Sequence, residues 1–384
     1  MSERSDQPAP TPDERAGTTG TEETEARSRA LAELRRRIDE IDTELIQRLS
    51  ERAQIVVEVG RTKRNDGTPI YAPHREQEVL RKVLEANPGP LPDRTIEAIY
   101  RELMSGSFAL ELPLRVGYLG PPGSFSHVAA VRHFGSSVEL DDLHEIDHVF
   151  EEVAAGRCHY GLVPYENSIG GSITDTLDAF ADHDVTIYAE ALIEVSHALL
   201  SNIPANTIER IYSKPQIFGQ CRRWLAKQYP EAALIATTSS SAAVRQAAEE
   251  PNAAAIGSTL AGELYGVKPL FEKIQDKANN ITRFLVLAKQ SARPSGDDKT
   301  TIMFVTSHKP GALVDVLAVF REAGINLSHI DKRPSGTNNW EYSFFIDCDR
   351  HRDDAEMQRA IERAAEHCVS LNVLGSYPRS TRIL

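Results

Sequence analysis

Cysteine is scarce in this chain: four among 384 residues, at Cys158, Cys221, Cys348 and Cys368. No two of them form a Cys-x-x-Cys pair and no His stands at ligand spacing from any. A disulfide framework and a thiolate metal site are therefore excluded, and the four read as reduced thiols. No run of 18 apolar residues occurs, which removes a membrane-spanning helix. The N terminus has no apolar stretch of the kind a secretory signal needs, so a cytoplasmic protein is expected. Positive charge is short as well: 43 Lys and Arg against 56 Asp and Glu give a formal net charge of −13. That balance argues against nucleic acid or an anionic membrane as a partner. Residues 1–29 contain no Val, Leu, Ile or Phe; such a segment cannot bury enough apolar surface to offset its ordering entropy and is expected to be a disordered tail.

What is present describes a soluble globular chain. Hydrophobic residues make up 41% and charged residues 26%, and the length suffices for two or three cores. From Leu31 the apolar positions run Leu31, Leu34, Ile38, Ile41, Leu45 and Leu49. These alternating steps of three and four predict one long amphipathic helix reaching about Lys63. Asn65-Asp66-Gly67-Thr68-Pro69 breaks it, and helices are predicted over 75–85 and 93–110. Three such helices do not close a core alone, so dimerisation is expected. On the first helix Arg52 and Lys63 fall within roughly 20° of one face, while Arg35 lies about 100° off it and roughly 25 Å from Arg52 along the axis. One small ligand touches both only if Arg35 comes from a partner subunit.

The middle of the chain alternates strands and helices. Strands are predicted at 115–120, 160–164, 184–188, 198–200, 210–213, 234–237 and 254–256, an α/β architecture. Pro121-Pro122-Gly123-Ser124 opens a helix, and a glycine loop at a helix N terminus is an anion site by geometry. Its spacing is not Gly-x-Gly-x-x-Gly, which excludes a dinucleotide fold. A polar linker at 291–299 precedes strand, helix, strand, strand, helix, strand, the βαββαβ order of a ferredoxin-like α+β domain.

Three sets of motifs then carry a family resemblance that covers nearly everything after residue 29. Pro164-Tyr165-Glu166-Asn167-Ser168 and Asn280-Ile281-Thr282-Arg283-Phe284 resemble the signature of prephenate dehydratases. Leu34-Arg35-Arg36-Arg37-Ile38-Asp39, Val59-Gly60-Arg61-Thr62-Lys63, Arg75-Glu76 and Ser107 through Glu111 resemble the all-helical chorismate mutases. Pro310-Gly311-Ala312-Leu313-Val314 is similar to the effector turn of ACT domains, with Asp331-Lys332-Arg333-Pro334 standing where the family usually has Glu-Ser-Arg-Pro. Together they look like a bifunctional chorismate mutase–prephenate dehydratase with a C-terminal ACT domain.

The resemblance implies a disordered tail over 1–29, an all-α mutase domain over 30–112 and a dehydratase domain over 113–290. The last is an α/β pair of lobes of the periplasmic-binding-protein type. A linker over 291–299 and an ACT domain over 300–384 complete it. Arg35 and Arg52 would grip the carboxylates of chorismate, Lys63 and Glu111 would donate to its ether oxygen, Glu76 would hold its hydroxyl, and Arg75 and Ser107 would line the pocket. Ala72 stands where some members have an acidic residue, and Glu111 where some have Gln. A pericyclic rearrangement needs only this grip and charge stabilisation. In the dehydratase, Thr282 would be the catalytic hydrogen-bond donor. Ser124, Glu166, Asn167, Ser168, Gln216, Ser240, Arg283 and Phe284 would surround prephenate, with a structural ion pair the favoured reading of Arg283. Gly311, Ala312, Leu313, Val314, Asp331, Arg333 and Pro334 would bind L-phenylalanine between two ACT domains. Aromatisation drives the second reaction, so no cofactor and no metal are called for. Two other readings remain: a prephenate or arogenate dehydratase with a silent helical domain, and a non-catalytic amino-acid sensor.

Overall fold

The computed structural model describes residues 12–66, 68–334 and 342–384, with side chains except at 12–24 and 65–66. The chain divides at Asp66/Gly67 into two compact units. The first is a single helix, α1, Pro12–Asp66, about 80 Å long at 1.5 Å per residue. It ends at the predicted Gly-Thr-Pro break. It also begins inside the stretch expected to be a disordered tail, of which residues 1–11 lie outside the described residues. Composition there argues against burial but not against helix, and Glu, Ala and Arg are good helix formers. The predicted apolar seam is uncovered: Leu34, Ile38, Ile41 and Leu45 are 53–56% exposed.

In the second unit, α2 (Pro73–Glu85) and α3 (Asp93–Glu111) are joined to the α/β region rather than standing apart from it. Tyr71 is buried among the rings of Phe108, Phe134, Tyr160 and Tyr188. Its carbonyl accepts from the hydroxyls of Tyr160 and Tyr188 at 3.3 and 2.9 Å, so the entry to α2 is built into the neighbouring sheet.

The α/β region forms the two lobes expected. In the first lie β1 (Arg115–Leu119), α4 (Phe125–Phe134), β2 (Glu139–Leu143), α5 (Ile146–Ala154), β3 (Tyr160–Asn167), β4 (Gly171–Ser172), α6 (Thr174–Asp182) and β5 (Thr186–Glu194). The second holds β6 (Ala198–Leu200), β7 (Arg210–Ser213), α7 (Pro215–Gln220), α8 (Arg222–Gln228), β8 (Ala233–Ala236), α9 (Ser240–Glu249), β9 (Ala253–Gly257), α10 (Thr259–Tyr265) and β10 (Pro269–Phe271). The chain then returns to the first lobe as β11, Ile281–Ala288. Sheet order is β2-β1-β3-β11-β5 in the first lobe, with β4 on β3, and β10-β6-β9-β7-β8 in the second. The returning strand is thus central, antiparallel to both β3 and β5. The lobes meet again at the Pro121–Ser124 loop. Gly123 there has φ +80°, and an added Cβ would lie 2.9 Å from that of Ala261 on α10. Only glycine fits.

The C-terminal region comprises β12 (Asp298–Thr306), α11 (Ala312–Glu322), β13 (Leu327–Pro334), β14 (Tyr342–Asp349), α12 (Ala355–Ala365) and β15 (Cys368–Pro378), with sheet order β13-β14-β12-β15, all antiparallel. The expected βαββαβ order holds. The segment expected to be a polar linker is docked instead, because the Asp298 carboxylate collects the backbone N–H groups of Ser295 and Gly296 and Ala292 is buried.

This sheet packs face-on against the first lobe, with Met303, Phe345, Leu374 and Tyr377 sharing a core with Tyr165, Ile187, Leu285 and Leu287. At Gly375 a side chain would run into Ile187, whose Cβ and N would both lie 2.8 Å away. Buried in the contact is Arg283. Its Nη1 lies 2.5 Å from Asp347 Oδ2 on β14, its Nη2 donates to the Tyr377 hydroxyl at 2.8 Å, and its Nε lies 2.7 Å from Glu190 Oε2 on β5. The Nε contact is off the N–H axis, so it acts as a Coulombic pair rather than an aligned hydrogen bond. Burial works against the charged Arg283, but Tyr377, Asp347 and Glu190 outweigh it and keep it well above its usual range. Burial likewise raises Asp347, and Arg283 with the Thr301 hydroxyl overcomes this to leave the carboxyl below its usual range.

A depressed carboxyl stabilises the fold above its unfolded value and loses that contribution as pH falls through the folded one. Asp347→Asn is expected to cost about 3 kcal/mol at pH 7, by leaving a buried cation short of a partner. Urea unfolding of both proteins should show this difference shrinking below about pH 4, near the carboxyl's unfolded pKa. A difference constant from pH 7 to pH 3 contradicts it.

Candidate active site

β11 alternates its side chains between two faces, so Thr282 and Arg283 serve different purposes. Arg283 turns toward the C-terminal sheet and its ion cluster. Thr282, 8% exposed, turns to the opposite face, where its Oγ1 accepts from Asn167 Nδ2 at 2.9 Å. Asn167 ends β3, the register partner of Thr282 across the sheet. Its Oδ1 is occupied by the backbone N–H groups of Ile169 and Gly170 at 3.0 and 2.8 Å, the turn that leads into β4.

The same Asn167 Nδ2 donates to Asn280 Oδ1 at 2.7 Å. Asn280 Nδ2 then reaches Gln220 Oε1 at 3.4 Å, and His197 Nε2 lies 2.6 Å from that same oxygen. His197 belongs to the outgoing crossover between β5 and β6, Asn280 to the returning one, and Gln220 to the end of α7. One chain of hydrogen bonds therefore spans both lobes and both crossovers. Burial holds His197 below the ordinary imidazole range, with Gln220 pulling the other way, so the ring is neutral at pH 7. The ring edge of Phe125, the first residue of α4, packs on it with centroids 5.3 Å apart. Among the described residues the Thr282 hydroxyl and the Gln220 amide N–H groups have no acceptor. The chain ends in donors, which suits the oxygens of an anionic substrate.

Several sequence-predicted residues fall elsewhere. Phe284 is buried in the first-lobe core: it shares a strand face with Thr282 but is enclosed in the cluster that holds Ala191, Ile193 and Val286. Arg283 is held by Asp347, Tyr377 and Glu190, which leaves no free fork for a substrate carboxylate. Glu166 faces the C-terminal sheet too, with its Oε2 3.5 Å from His329 Nδ1. Ser124 caps α4, accepting from His127 N at 3.2 Å. Ser168 stitches the loop by donating to Asn279 O and accepting from Ile281 N. Gln216 is exposed in the first turn of α7, and Gln220, a turn later, enters the network in its place. Ser240 is buried at the start of α9, beside the capping Ser239. His197, Gln220 and Asn280 were missed as site residues. Only Asn280, two positions before Thr282, carried a sequence signal.

The mutase-type residues lie on α1 (Arg35, Arg52, Lys63), on α2 (Arg75, Glu76) and on α3 (Ser107, Glu111). Arg75 pairs with Glu78 on its own helix at 2.6 Å. Glu76 is buried against Arg101 at 3.3 Å, and burial pushes its carboxyl up against the pull of that arginine. Ser107 and Glu111, one turn apart, are both buried, and Ser107 Oγ donates to Leu103 O.

In the C-terminal region, Gly311, Ala312, Leu313 and Val314 line a cavity of about 230 Å³ with Lys309 and Tyr342. Gly311, at φ +82°, opens α11. Asp331, Arg333 and Pro334 do not join that cavity. Arg333 instead makes a two-pronged pair with Asp178 on α6, at 2.7 and 2.5 Å, and Asp331 accepts from Lys332 N. Among the described residues no group of His, Cys, Asp and Glu is arranged to hold a metal, and no helix is long and apolar enough to cross a membrane.

Comparison with known proteins falls on the same three regions. Residues 34–112 match the chorismate mutase type II family, residues 116–292 prephenate dehydratase and residues 299–366 the ACT domain. A bifunctional chorismate mutase/prephenate dehydratase of Stutzerimonas stutzeri is 43% identical over 357 residues, covering 91% of this chain and 98% of that one. The Escherichia coli protein of the same description is 32% identical, over 91% of this chain and 96% of its own. Among solved structures, the prephenate dehydratase of Arthrobacter aurescens in complex with L-Phe superposes with a TM-score of 0.65 at 31% identity, covering 69% of this chain and 90% of that one. The chain belongs to the bifunctional chorismate mutase/prephenate dehydratase family.

Proposed function

We propose that the chain converts chorismate to prephenate and prephenate to phenylpyruvate, under feedback by L-phenylalanine. The observation that carries the second activity is the direction of the Asn167–Thr282 hydrogen bond. Because Thr282 Oγ1 accepts from Asn167, its own proton is free to be donated. In the dehydration the bond from the ring to the carboxylate breaks to release CO2, its electron pair completes the aromatic ring, and the ring hydroxyl leaves as water. A threonine is too weak an acid to protonate that hydroxyl outright. It polarises the leaving group as an oriented donor, and the departing oxygen takes its proton from water. The Gln220 amide adds N–H donors for substrate oxygens. None of these steps calls on a cofactor.

For the mutase, Arg35, Arg52, Lys63, Glu76, Ser107 and Glu111 supply the grip on a dianion and the donors to its ether oxygen. We read the enzyme as a homodimer or higher oligomer, supported by the uncovered seam of α1 and by Val314 and Ile330, 65% and 52% exposed on the C-terminal domain. The separation of Gly311–Val314 from Asp331–Pro334 fits an effector site completed by a second copy. L-phenylalanine bound to the dehydratase of Arthrobacter aurescens supports the identity of the effector. A cytoplasmic location is supported by the four unbridged cysteines.

Thr282→Val is expected to lower dehydratase kcat by about 100-fold or more, in line with removal of one transition-state donor, while mutase turnover stays near normal. Ultraviolet assays of both half-reactions on one preparation check this, and a Thr282→Val enzyme still making phenylpyruvate at the wild-type rate sinks it. Arg52→Ala is expected to do the converse, removing mutase turnover and sparing dehydration. Loss of both activities would reject the assignment of Arg52 to the mutase site.

Gly311→Ala should strain the turn that opens α11 and weaken L-phenylalanine binding on the order of tenfold. The uninhibited dehydratase rate should not move. Titration calorimetry measures the binding directly, and unchanged affinity in the variant removes Gly311 from the effector site. By linkage, prephenate must weaken L-phenylalanine binding by the factor that L-phenylalanine weakens its own.

A further inference from the structure

The hydrogen-bond chain between the lobes has a direction, and one end of it is held by a residue with no part in the dehydration chemistry itself. We propose that His197 is a positioning residue for the dehydratase reaction: it fixes the Gln220 amide in one orientation and so presents its N–H donors to the substrate. The proposal rests on the reading of Thr282 and Gln220 as donors to prephenate.

The direction is set at Asn167. Two backbone N–H groups, those of Ile169 and Gly170, converge on its Oδ1. A flipped amide would set an NH2 against both of them, so Nδ2 must face Thr282 and Asn280. Asn280 is then oriented in turn. With its Oδ1 facing the Asn167 donor, its Nδ2 faces Gln220 Oε1. That second contact is long, at 3.4 Å, and too weak to hold a glutamine by itself. His197 supplies the short one, 2.6 Å to the same oxygen. Since the oxygen accepts, His197 must carry its proton on Nε2.

That tautomer comes at a cost. His197 is 1% exposed, and its Nδ1 is a buried acceptor with no partner among the described residues. A side chain serving only to fill space would avoid an unsatisfied nitrogen, so the Nε2–H donor is what the position requires. The ring is also fixed in place from several sides. The His197 backbone N donates to Gln275 Oε1 at 3.0 Å, its carbonyl accepts from Ile274 N at 3.0 Å, and the Phe125 ring meets the imidazole in a T-shaped contact.

Three substitutions separate a donor from a filler. A Gln at 197 is long enough to place an N–H where Nε2 stands, an Asn is too short, and a Leu has none. His197→Leu and His197→Asn are expected to lower dehydratase kcat/KM 10- to 100-fold, as misplacement of a reacting group does. His197→Gln should stay within about threefold of the wild type. Mutase turnover by the same preparations reports whether each variant is folded. If His197→Leu loses that too, the Asn and Gln variants decide, both being small and polar. A wild-type rate in His197→Asn, or a His197→Gln enzyme as slow as His197→Asn, overturns the proposal. Activity in Thr282→Val would instead overturn the donor reading it rests on, whatever the His197 variants do.

Discussion

The guanidinium of Arg283 lies buried where the central strand of the first lobe meets the sheet of the C-terminal domain, and the rest of the molecule is arranged around keeping it charged. A lone cation there would cost several kcal/mol to remove from water. Asp347 and Tyr377 from one domain and Glu190 from the other compensate it, while Lys299 adds a second positive group to Glu190 at 3.1 Å. The cluster is complete only when the two domains are in contact. Its cation belongs to the residue next to Thr282, so the position of the C-terminal sheet bears directly on the strand that carries the Thr282 hydroxyl.

A second link between those domains uses the other candidate effector motif. Arg333 reaches Asp178 on α6, and His329, two residues from Asp331, packs at a tilt against Tyr165 and approaches Glu166. Strand β13 thus touches the dehydratase lobe at the residues flanking Asn167. β13 is thereby linked to the strand that carries Asn167 through packed, hydrogen-bonded contacts. The clash awaiting any side chain at Gly375 makes the same point sterically: β15 and β5 are too close to slide independently.

The cleft itself depends on polarity more than on charge. Thr282 and Gln220 leave O–H and N–H donors whose acceptor ends are already occupied, the arrangement proposed above for receiving an anionic substrate in an acidic chain. Directed hydrogen bonds of this kind keep their orientation without the desolvation penalty of buried cations.

The sequence by itself determined the order of the domains, the helical period of the first segment, the α/β and βαββαβ patterns of the others, and the family. Each of these is local in the chain: a period, a turn or a contiguous motif such as Ile281-Thr282-Arg283-Phe284. Thr282 and Asn167 stood out as candidates for that reason, and their pairing follows from two strands in register. What decided the remainder was tertiary. Arg283 and Phe284 adjoin Thr282 in sequence, yet strand alternation sends Arg283 to an interdomain ion cluster, and the packing of α4 on the other face of the sheet closes Phe284 into the core. His197 and Gln220 sit 85 and 62 positions before Thr282 in stretches with no distinctive motif. Only the double crossover between lobes brings them into one hydrogen-bond chain. Spacing along a sequence encodes which face a residue takes within its own element, whereas contact between elements is set by how sheets pack and where chains cross.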